Sequence, residues 1–143
     1  KLFPMGVDAM LEGVDLVKAG NAPKIDQDHS LKTYESWCRK ADVELDFSKP
    51  MQEVHNMIRG GDPVPGAWTT CGGAEIQLYG SSKAVSASGA PGDIVEISDD
   101  GMTIACGDGG VRVARIKGDA KKIAASEFAS DAGVSVGTKL GGC

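Results

Sequence analysis

Residues 46–70 read DFSKPMQEVHNMIRGGDPVPGAWTT, and this segment contains a helix start, a helix stop, a rigid turn and the start of a strand. We expect Ser48 to cap a helix that runs to Gly60, with Pro50 in the first turn, where a missing N–H costs nothing. Gly60-Gly61 ends that helix, because glycine enters the left-handed backbone region without strain. The prolines that follow predict an extended turn, and residues 67–70 then read as a strand.

This helix is predicted to be amphipathic and to join the rest of the domain through its apolar side. Met51, Val54 and Ile58 recur at helical spacing and form an apolar stripe. His55 lies next to that stripe, and a histidine in such a place is more often hydrogen-bonded structure than a catalyst. We expect His55 to be hydrogen-bonded and Arg59 to pair with a carboxylate. The residues predicted for this structural interface are His55, Asn56, Arg59 and Trp68.

Short strands separated by turn signals are predicted downstream of residue 66. Gly72-Gly73 is a two-residue hairpin signal, residues 80–92 read as a loop, and residues 124–129 are expected to form a helical turn. Hairpin-linked strands behind one inserted helix predict an α+β fold with a small open barrel or curled sheet. The predicted strands are Ala67–Cys71, Glu75–Tyr79, Asp93–Ser98, Met102–Cys106, Val111–Ile116 and Val134–Val136.

The first forty residues follow a different pattern. Met5–Ala19 is predicted to be an amphipathic helix, and Gly20-Asn21 ends it. Residues 21–40 lack periodicity and read as a connector that crosses a surface. Tyr34 and Trp37 interrupt its polarity, and an aromatic pair on a linker more often anchors the linker than contacts a ligand.

Composition narrows the class of protein. The chain has 143 residues, a formal net charge of −5 and 41% hydrophobic residues, which fits one domain with a modest core. No run of about eighteen apolar residues is present to span a membrane, and the acidic balance disfavours a general nucleic-acid coat. Leu2-Phe3-Pro4 begins abruptly on apolar residues, as expected of a sequence opened inside a larger fold. The four cysteines are too widely spaced for a zinc site and are expected to be free thiols in a reducing cytosol: Cys38, Cys71, Cys106 and Cys143.

Side chains for catalysis are scarce in this sequence. Only two histidines are present, His29 and His55. Neither has a nucleophile and an orienting group at a spacing in the sequence that would indicate a catalytic triad. Asp99-Asp100 precedes a glycine and reads as a hairpin turn, and residues 107–110 have too few ligands for a calcium loop. These residues alone do not make a complete active site or a metal site. Positive charge concentrates in a basic run, Arg112, Arg115, Lys117, Lys121 and Lys122. Such a run is most often a solvated face, and the alternative is a surface for an anionic partner.

Several segments resemble the formyltransferase family, which includes methionyl-tRNA formyltransferase and the hydrolase part of 10-formyltetrahydrofolate dehydrogenase. Residues 47–50, 54–59 and 63–70 are similar to the start of the family's C-terminal domain. Upstream, the resemblance covers the end of the catalytic domain and the linker, in residues 2–6, 17–20, 22–23, 33–35 and 39–40. Downstream, Tyr79-Gly80-Ser81-Ser82 and Ala125-Ser126-Glu127-Phe128 resemble the dehydrogenase branch more than the tRNA branch.

The resemblance implies a division of the chain into three regions. Residues 1–22 would be the end of a catalytic domain with its exit helix, residues 23–45 a linker, and residues 46–143 an open barrel resembling an oligonucleotide-binding fold. In that family an Asn, a His and an Asp of the N-terminal domain act on the 10-formyl group, and their motifs do not occur in this sequence. No catalytic residue is therefore carried over to this chain.

The function that the resemblance implies is that of a non-catalytic C-terminal portion of a cytoplasmic enzyme acting on 10-formyltetrahydrofolate, most like 10-formyltetrahydrofolate dehydrogenase. Its partner would be the N-terminal catalytic domain of the same chain, with no cofactor bound to this portion. Tyr34 and Trp37 are then the residues expected to flank the folate mouth.

Two other functions stay open at this point. One is a tRNA-binding barrel of a methionyl-tRNA formyltransferase, with the basic run as its contact surface, although the net acidity departs from the basic barrel of those enzymes. The other is a structural or self-association domain.

Overall fold

In the computed structural model the described residues are 1–119 and 121–141, and they form two compact units, residues 1–36 and 37–143. The first unit contains helix α1, Leu2–Lys18, which confirms the predicted helix and begins three residues earlier. Ala19 and Gly20 end it, with Gly20 at φ +71°. Residues 21–39 form no helix or strand, as expected of a connector. Among residues 1–119 and 121–141, no helix has the length and apolarity needed to cross a membrane.

The second unit is a six-stranded antiparallel sheet with two helices and a short 3-10 turn. The strands lie in the order β1-β2-β5-β4-β3, and β6 pairs with the C-terminal end of β5, residues 115–117. This open sheet with its inserted helix confirms the predicted α+β class and small open barrel. The elements are η1 Lys40–Val43, α2 Met51–Gly61, β1 Ala67–Cys71, β2 Ala74–Ala84, β3 Ile94–Ser98, β4 Gly101–Cys106, β5 Gly109–Lys117, β6 Lys122–Ala124 and α3 Ala125–Asp131.

The hydrophobic core of this unit is formed by the sheet together with α2, α3, residues 43–47 and Leu140. Val54 and Ile58 of α2 are buried, as the apolar stripe predicts. The register pairs Met102 with Val113 and Ile104 with Val111, so the apolar residues of β4 and β5 face the core together. Burying one such side chain contributes about 1.5–3 kcal/mol, which makes these strands the centre of the stability of the unit.

The start of α2 differs from the prediction. The helix begins at Met51, and Ser48 does not cap it, because its hydroxyl and its N–H both donate to Asp46 Oδ1, at 2.6 and 2.9 Å. Asp108, in the turn between β4 and β5, instead accepts a hydrogen bond from the Met51 N–H at 2.6 Å. The cap of this helix is therefore supplied from 57 residues away.

The hairpin between β1 and β2 confirms the Gly72-Gly73 signal, with both glycines at positive φ. Strand β2 is longer than predicted, because it continues to Ala84 through part of the segment expected to be a loop. The chain passes Gly80 at φ +63°, where its N–H donates to Asp62 Oδ2 at 3.1 Å, and then pairs with β5 again from Ser81 onward. A glycine inside the strand thus bends it without ending it.

The last predicted strand, Val134–Val136, is wrong. Those residues form no strand, and the ladder contacts lie later, where Lys139 pairs with Asp93 and Leu140 pairs with Cys71. Gly141 N–H also donates to Thr70 O at 2.9 Å. This short segment therefore links the two ends of the open sheet. The prediction also missed β6, because a three-residue strand leaves little pattern in a sequence.

Candidate functional site

His55 lies on α2 and contacts β2. Its Nδ1 lies 2.9 Å from Ser81 Oγ, and the Ser81 hydroxyl also lies 3.4 Å from the backbone oxygen of His55, to which it donates. Burial lowers the pKa of His55, and the nearby positive charges of Arg59 and Lys83 lower it further. The neutral ring is favoured here, and its contact joins the helix to the sheet.

The polar stripe of α2 forms a chain of hydrogen bonds along the helix surface. Gln52 Nε2 donates to Asn56 Oδ1 at 3.0 Å, and Arg59 Nη2 donates to the same oxygen at 3.4 Å. Lys83 of β2 donates to Gln52 Oε1 at 3.0 Å. The carboxylate expected beside Arg59 is not there: within residues 1–119 and 121–141, Arg59 forms no ion pair.

Trp68 ties β1 to the segment that precedes α2. Its Nε1 donates to Lys40 O at 2.8 Å, and the Lys40 ammonium lies 5.3 Å from the centre of the Trp68 ring. Lys40 also pairs with Glu75 at 2.6 Å. Trp68 thus lies where the connector meets the sheet. Tyr34 and Trp37 are strongly exposed, at 89% and 87%, with Tyr34 in the first unit and Trp37 at the start of the second. Their expected place at a folate mouth stays a prediction.

The basic run does not form one surface in the structure. Arg115 Nη2 donates to Lys122 O at 3.0 Å, and Lys122 lies 3.9 Å from Asp62 Oδ1 with its ammonium 3.3 Å from the centre of the Tyr79 ring. Arg112 is engaged elsewhere, by Glu96. Lys117, at the end of β5, is half-buried, and Lys121 is exposed. Three residues of the run therefore lie in two separate clusters, Arg112 with Glu96, and Arg115 and Lys122 near Asp62.

Four strands carry a row of polar residues that the sequence analysis missed as a group. The register places Ser82 of β2 opposite Arg112 of β5, Arg112 opposite Thr103 of β4, and Thr103 opposite Glu96 of β3. Because side chains alternate along a strand, this row, called the outer row below, faces away from the core residues on either side of it. The row depends on the register between strands, which no single strand shows by itself.

Hydrogen bonds link three members of the outer row, Thr103, Glu96 and Arg112. Thr103 is buried, donates to Glu96 Oε2 at 3.1 Å and accepts from Arg112 Nε at 3.3 Å. Arg112 Nη2 donates to the same Glu96 oxygen at 2.8 Å. The hydrogen bonds from Arg112 and Thr103 lower the pKa of Glu96, because they favour its ionised form. The ionised Glu96 carboxylate is thus held against the Arg112 guanidinium.

The cysteines do not group into a site in the part of the chain that is described. Cys38 is exposed, Cys71 is half-buried and Cys106 is buried, and all three are free thiols; Cys143 lies outside the described residues. Burial raises the pKa of Cys106 to about 11, so its thiol stays protonated and unreactive. No cluster of His, Cys, Asp and Glu suited to a metal ion occurs among residues 1–119 and 121–141.

The arrangement around His55 lacks the third member of a catalytic triad. A serine nucleophile needs a histidine base that a carboxylate or amide orients in turn. His55 and Ser81 are within hydrogen-bond distance, but in the described ranges no carboxylate bonds to the histidine ring. The contact holds two elements together, and it gives the Ser81 hydroxyl no oriented base.

Comparison with known proteins identifies relatives of this chain. Residues 38–133 match the family described as formyl transferase, C-terminal domain. The chain is 31% identical over 142 residues to the methionyl-tRNA formyltransferase of Geobacter metallireducens, covering 99% of this chain and 45% of the relative. It is 36% identical over 146 residues to the human mitochondrial 10-formyltetrahydrofolate dehydrogenase, covering 94% of this chain and 16% of the relative.

The chain therefore spans less than half the length of these relatives. Among solved structures, a variant of HypX from Aquifex aeolicus matches with a TM-score of 0.66 at 19% identity, covering 87% of this chain and 23% of that one. At that identity the likeness concerns the fold alone.

Proposed function

Because the chain belongs to the formyl transferase C-terminal domain family, we propose that it is the non-catalytic C-terminal part of a folate-dependent enzyme that acts on 10-formyltetrahydrofolate. The observation that carries this proposal is the agreement between two boundaries. The family match covers residues 38–133, and the compact unit begins at residue 37. The matched domain is thus one folded body, and the folate chemistry would belong to a catalytic domain in the same chain.

We favour an enzyme of the 10-formyltetrahydrofolate dehydrogenase type. Acidic side chains outnumber basic ones in residues 37–143, and a tRNA-binding surface depends mainly on Lys and Arg. The clusters that contain Arg112 and Lys122 each include a carboxylate, Glu96 and Asp62, which reduces the positive charge offered to a phosphate backbone. This charge balance suits an accessory role toward a catalytic domain better than a role in holding tRNA.

A chimera tests the accessory role. In the human mitochondrial dehydrogenase, the region that matches this chain is replaced by these 143 residues, and a matched control lacks residues 37–143. Hydrolysis of 10-formyltetrahydrofolate should be retained in the chimera and reduced at least about tenfold in the control, because the catalytic domain loses the body that supports it. Equal activity in chimera and control would contradict the proposal.

The alternative is the tRNA-binding barrel of a methionyl-tRNA formyltransferase, and the 31% identity to such an enzyme over nearly the whole chain supports it. A gel-shift titration with initiator tRNA separates the two functions. We expect no shift at physiological salt; binding that falls steeply as salt rises would favour the tRNA function instead. A purely self-associating domain would show a solution mass that rises with concentration.

A further inference from the structure

A cavity of about 740 Å³ lies over the outer row. Its floor contains Ser82, Thr103, Glu96 and Arg112, contributed by four adjacent strands. Residues 84–88 line one side of it. Ligand pockets commonly enclose about 300–1,000 Å³, so this cavity has room for a small molecule.

The loop beside the cavity lies close to two strands of the sheet. A β-carbon at Gly110 of β5 would lie 2.6 Å from Ala87 Cβ, and one at Gly89 would lie 2.7 Å from Val95 Cγ1. Such short distances show that the loop lies directly against β5 and β3. The loop thus supplies one wall of the cavity, and a wall already in place lowers the entropic cost of binding.

The floor offers a donor, Arg112, and an acceptor, Glu96. Lys83 also lines the cavity, but its ammonium donates to Gln52 Oε1 of α2 at 3.0 Å. Glu96 Oε2 accepts from both Thr103 and Arg112, and the opposite charges of Glu96 and Arg112 cancel. Within residues 1–119 and 121–141, Arg112 Nη1 and Glu96 Oε1 have no hydrogen-bond partner. An anion would meet the Glu96 carboxylate, whereas an uncharged ligand with a paired donor and acceptor would satisfy both free atoms.

We propose that this cavity binds an uncharged amino-heterocycle of nucleobase size. Its amino group would donate to Glu96, and the neighbouring ring nitrogen would accept from Arg112. Carboxylates that accept from a base amino group and arginines that donate to a base acceptor are both known contacts with base edges. Thr103 holds both partners in position from below. Val85, Ala87 and Val95 give the ring apolar contact at the side of the cavity. This site lies outside any formyl-transfer chemistry and does not depend on the proposed function.

Titration of the chain with adenosine, followed by amide NMR, tests the proposal. We expect saturable shifts of the Ser82, Thr103 and Arg112 resonances below about 10 mM ligand. N6,N6-dimethyladenosine lacks the amino donor and should bind at least about tenfold more weakly, a loss of about 1.4 kcal/mol. Inorganic phosphate at the same concentrations should leave these resonances in place. Adenosine and adenosine monophosphate should bind within about threefold of each other, because the phosphate adds no favourable contact.

Glu96→Gln replaces the acceptor oxygen pair by an amide and should weaken adenosine binding about tenfold. Glu53→Gln on α2 removes the same charge outside the cavity and should leave the affinity unchanged. If Glu96→Gln disturbs the fold, the comparison of adenosine with N6,N6-dimethyladenosine decides the question, since it leaves the protein unaltered. The proposal is overturned if adenosine gives no saturable shift, if the dimethyl analogue binds equally well, or if phosphate alone binds.

Discussion

The carboxylate of Asp108 accepts a hydrogen bond from the backbone N–H of Met51 at 2.6 Å, and this contact joins the β4–β5 turn to the first residue of α2. The neighbouring Gly107 N–H donates to Lys49 O at 3.0 Å, and a β-carbon at Gly107 would lie only 2.5 Å from Ser48 O. The turn and the helix start therefore fit closely together. The first N–H groups of a helix lack partners within the helix, so a carboxylate at this end satisfies one of them.

Replacement of Asp108 should destabilise the second unit through loss of this cap. Asp108→Ala is expected to lower the free energy of unfolding by about 1 kcal/mol, and the melting temperature by roughly 4–8 °C in a domain of this size. Asp108→Asn keeps an oxygen acceptor and should lose less. Thermal denaturation followed by circular dichroism measures both. Asp26→Ala removes the same charge at an exposed position of the first unit; if it were as destabilising as Asp108→Ala, the capping account would be wrong.

Gly101 is required at the turn between β3 and β4. It has φ +137°, and a β-carbon there would collide with the carbonyl oxygen of Val113. Gly101→Ala should therefore destabilise the fold by about 2 kcal/mol or more, because backbone strain and a steric clash add. Gly60→Ala is the matched control, since no atom lies within 4 Å of its added carbon and the helix favours alanine. Urea denaturation compares them, and similar midpoints for the two variants would contradict this assignment.

The contact between His55 and Ser81 should make stability depend on pH. The pKa of His55 is lowered in the folded state, so the unfolded state binds the proton more readily. Its contribution is full above the ordinary histidine pKa of about 6.5 and is lost as pH falls through and below that value. We therefore measure the free energy of unfolding by denaturant at several pH values. Between about pH 7 and pH 5 it should fall more steeply with falling pH for the wild-type chain than for His55→Gln. Parallel pH dependences would show that His55 titrates as it does in the unfolded chain.

His55→Ala gives a second test of the same junction. Loss of the contact to Ser81 is expected to lower the melting temperature by several degrees, since a net hydrogen bond contributes about 1 kcal/mol. A change of less than about one degree would argue against a structural role for His55.

Tyr34 and Trp37 are predicted to flank the folate mouth in an enzyme that carries this chain. Their exposure leaves both rings free to contact another domain or a ligand. Tyr34→Ala and Trp37→Ala should then raise the KM for 10-formyltetrahydrofolate with a smaller effect on kcat, because binding is lost before chemistry is affected. Val136→Ala, at an exposed position after α3 and outside the cavity, serves as the control. Steady-state kinetics with KM unchanged in both aromatic variants would count against this placement.

The sequence predicted the elements whose signals are local. The apolar stripe of α2 and the Gly72-Gly73 hairpin each depend on spacing within a short segment, and both are confirmed. The cap from Asp108 and the pairing of Arg112 with Thr103 depend instead on residues brought together by strand register. Register is decided by packing of the whole sheet, so no local pattern indicates these contacts.

The candidate sites also combine features that the local sequence indicates with contacts that only the fold creates. The proximity of His55 to the sheet followed from its place beside the apolar stripe, although its partner Ser81 lay in a segment expected to be a loop. The basic run looked continuous in the sequence, yet Arg112 and Lys122 engage different carboxylates in the structure. Adjacent strand residues point to opposite faces, and a run of charges along a chain is therefore often divided between surfaces.

The most direct test of the central claim is an assay of 10-formyltetrahydrofolate hydrolysis by the purified 143-residue chain alone. The accessory role predicts that tetrahydrofolate forms no faster than in buffer, while the human mitochondrial dehydrogenase in a parallel reaction gives turnover. Hydrolysis that rises in proportion to chain concentration, and that His55→Gln abolishes while the fold is retained, would show that this chain carries its own active site.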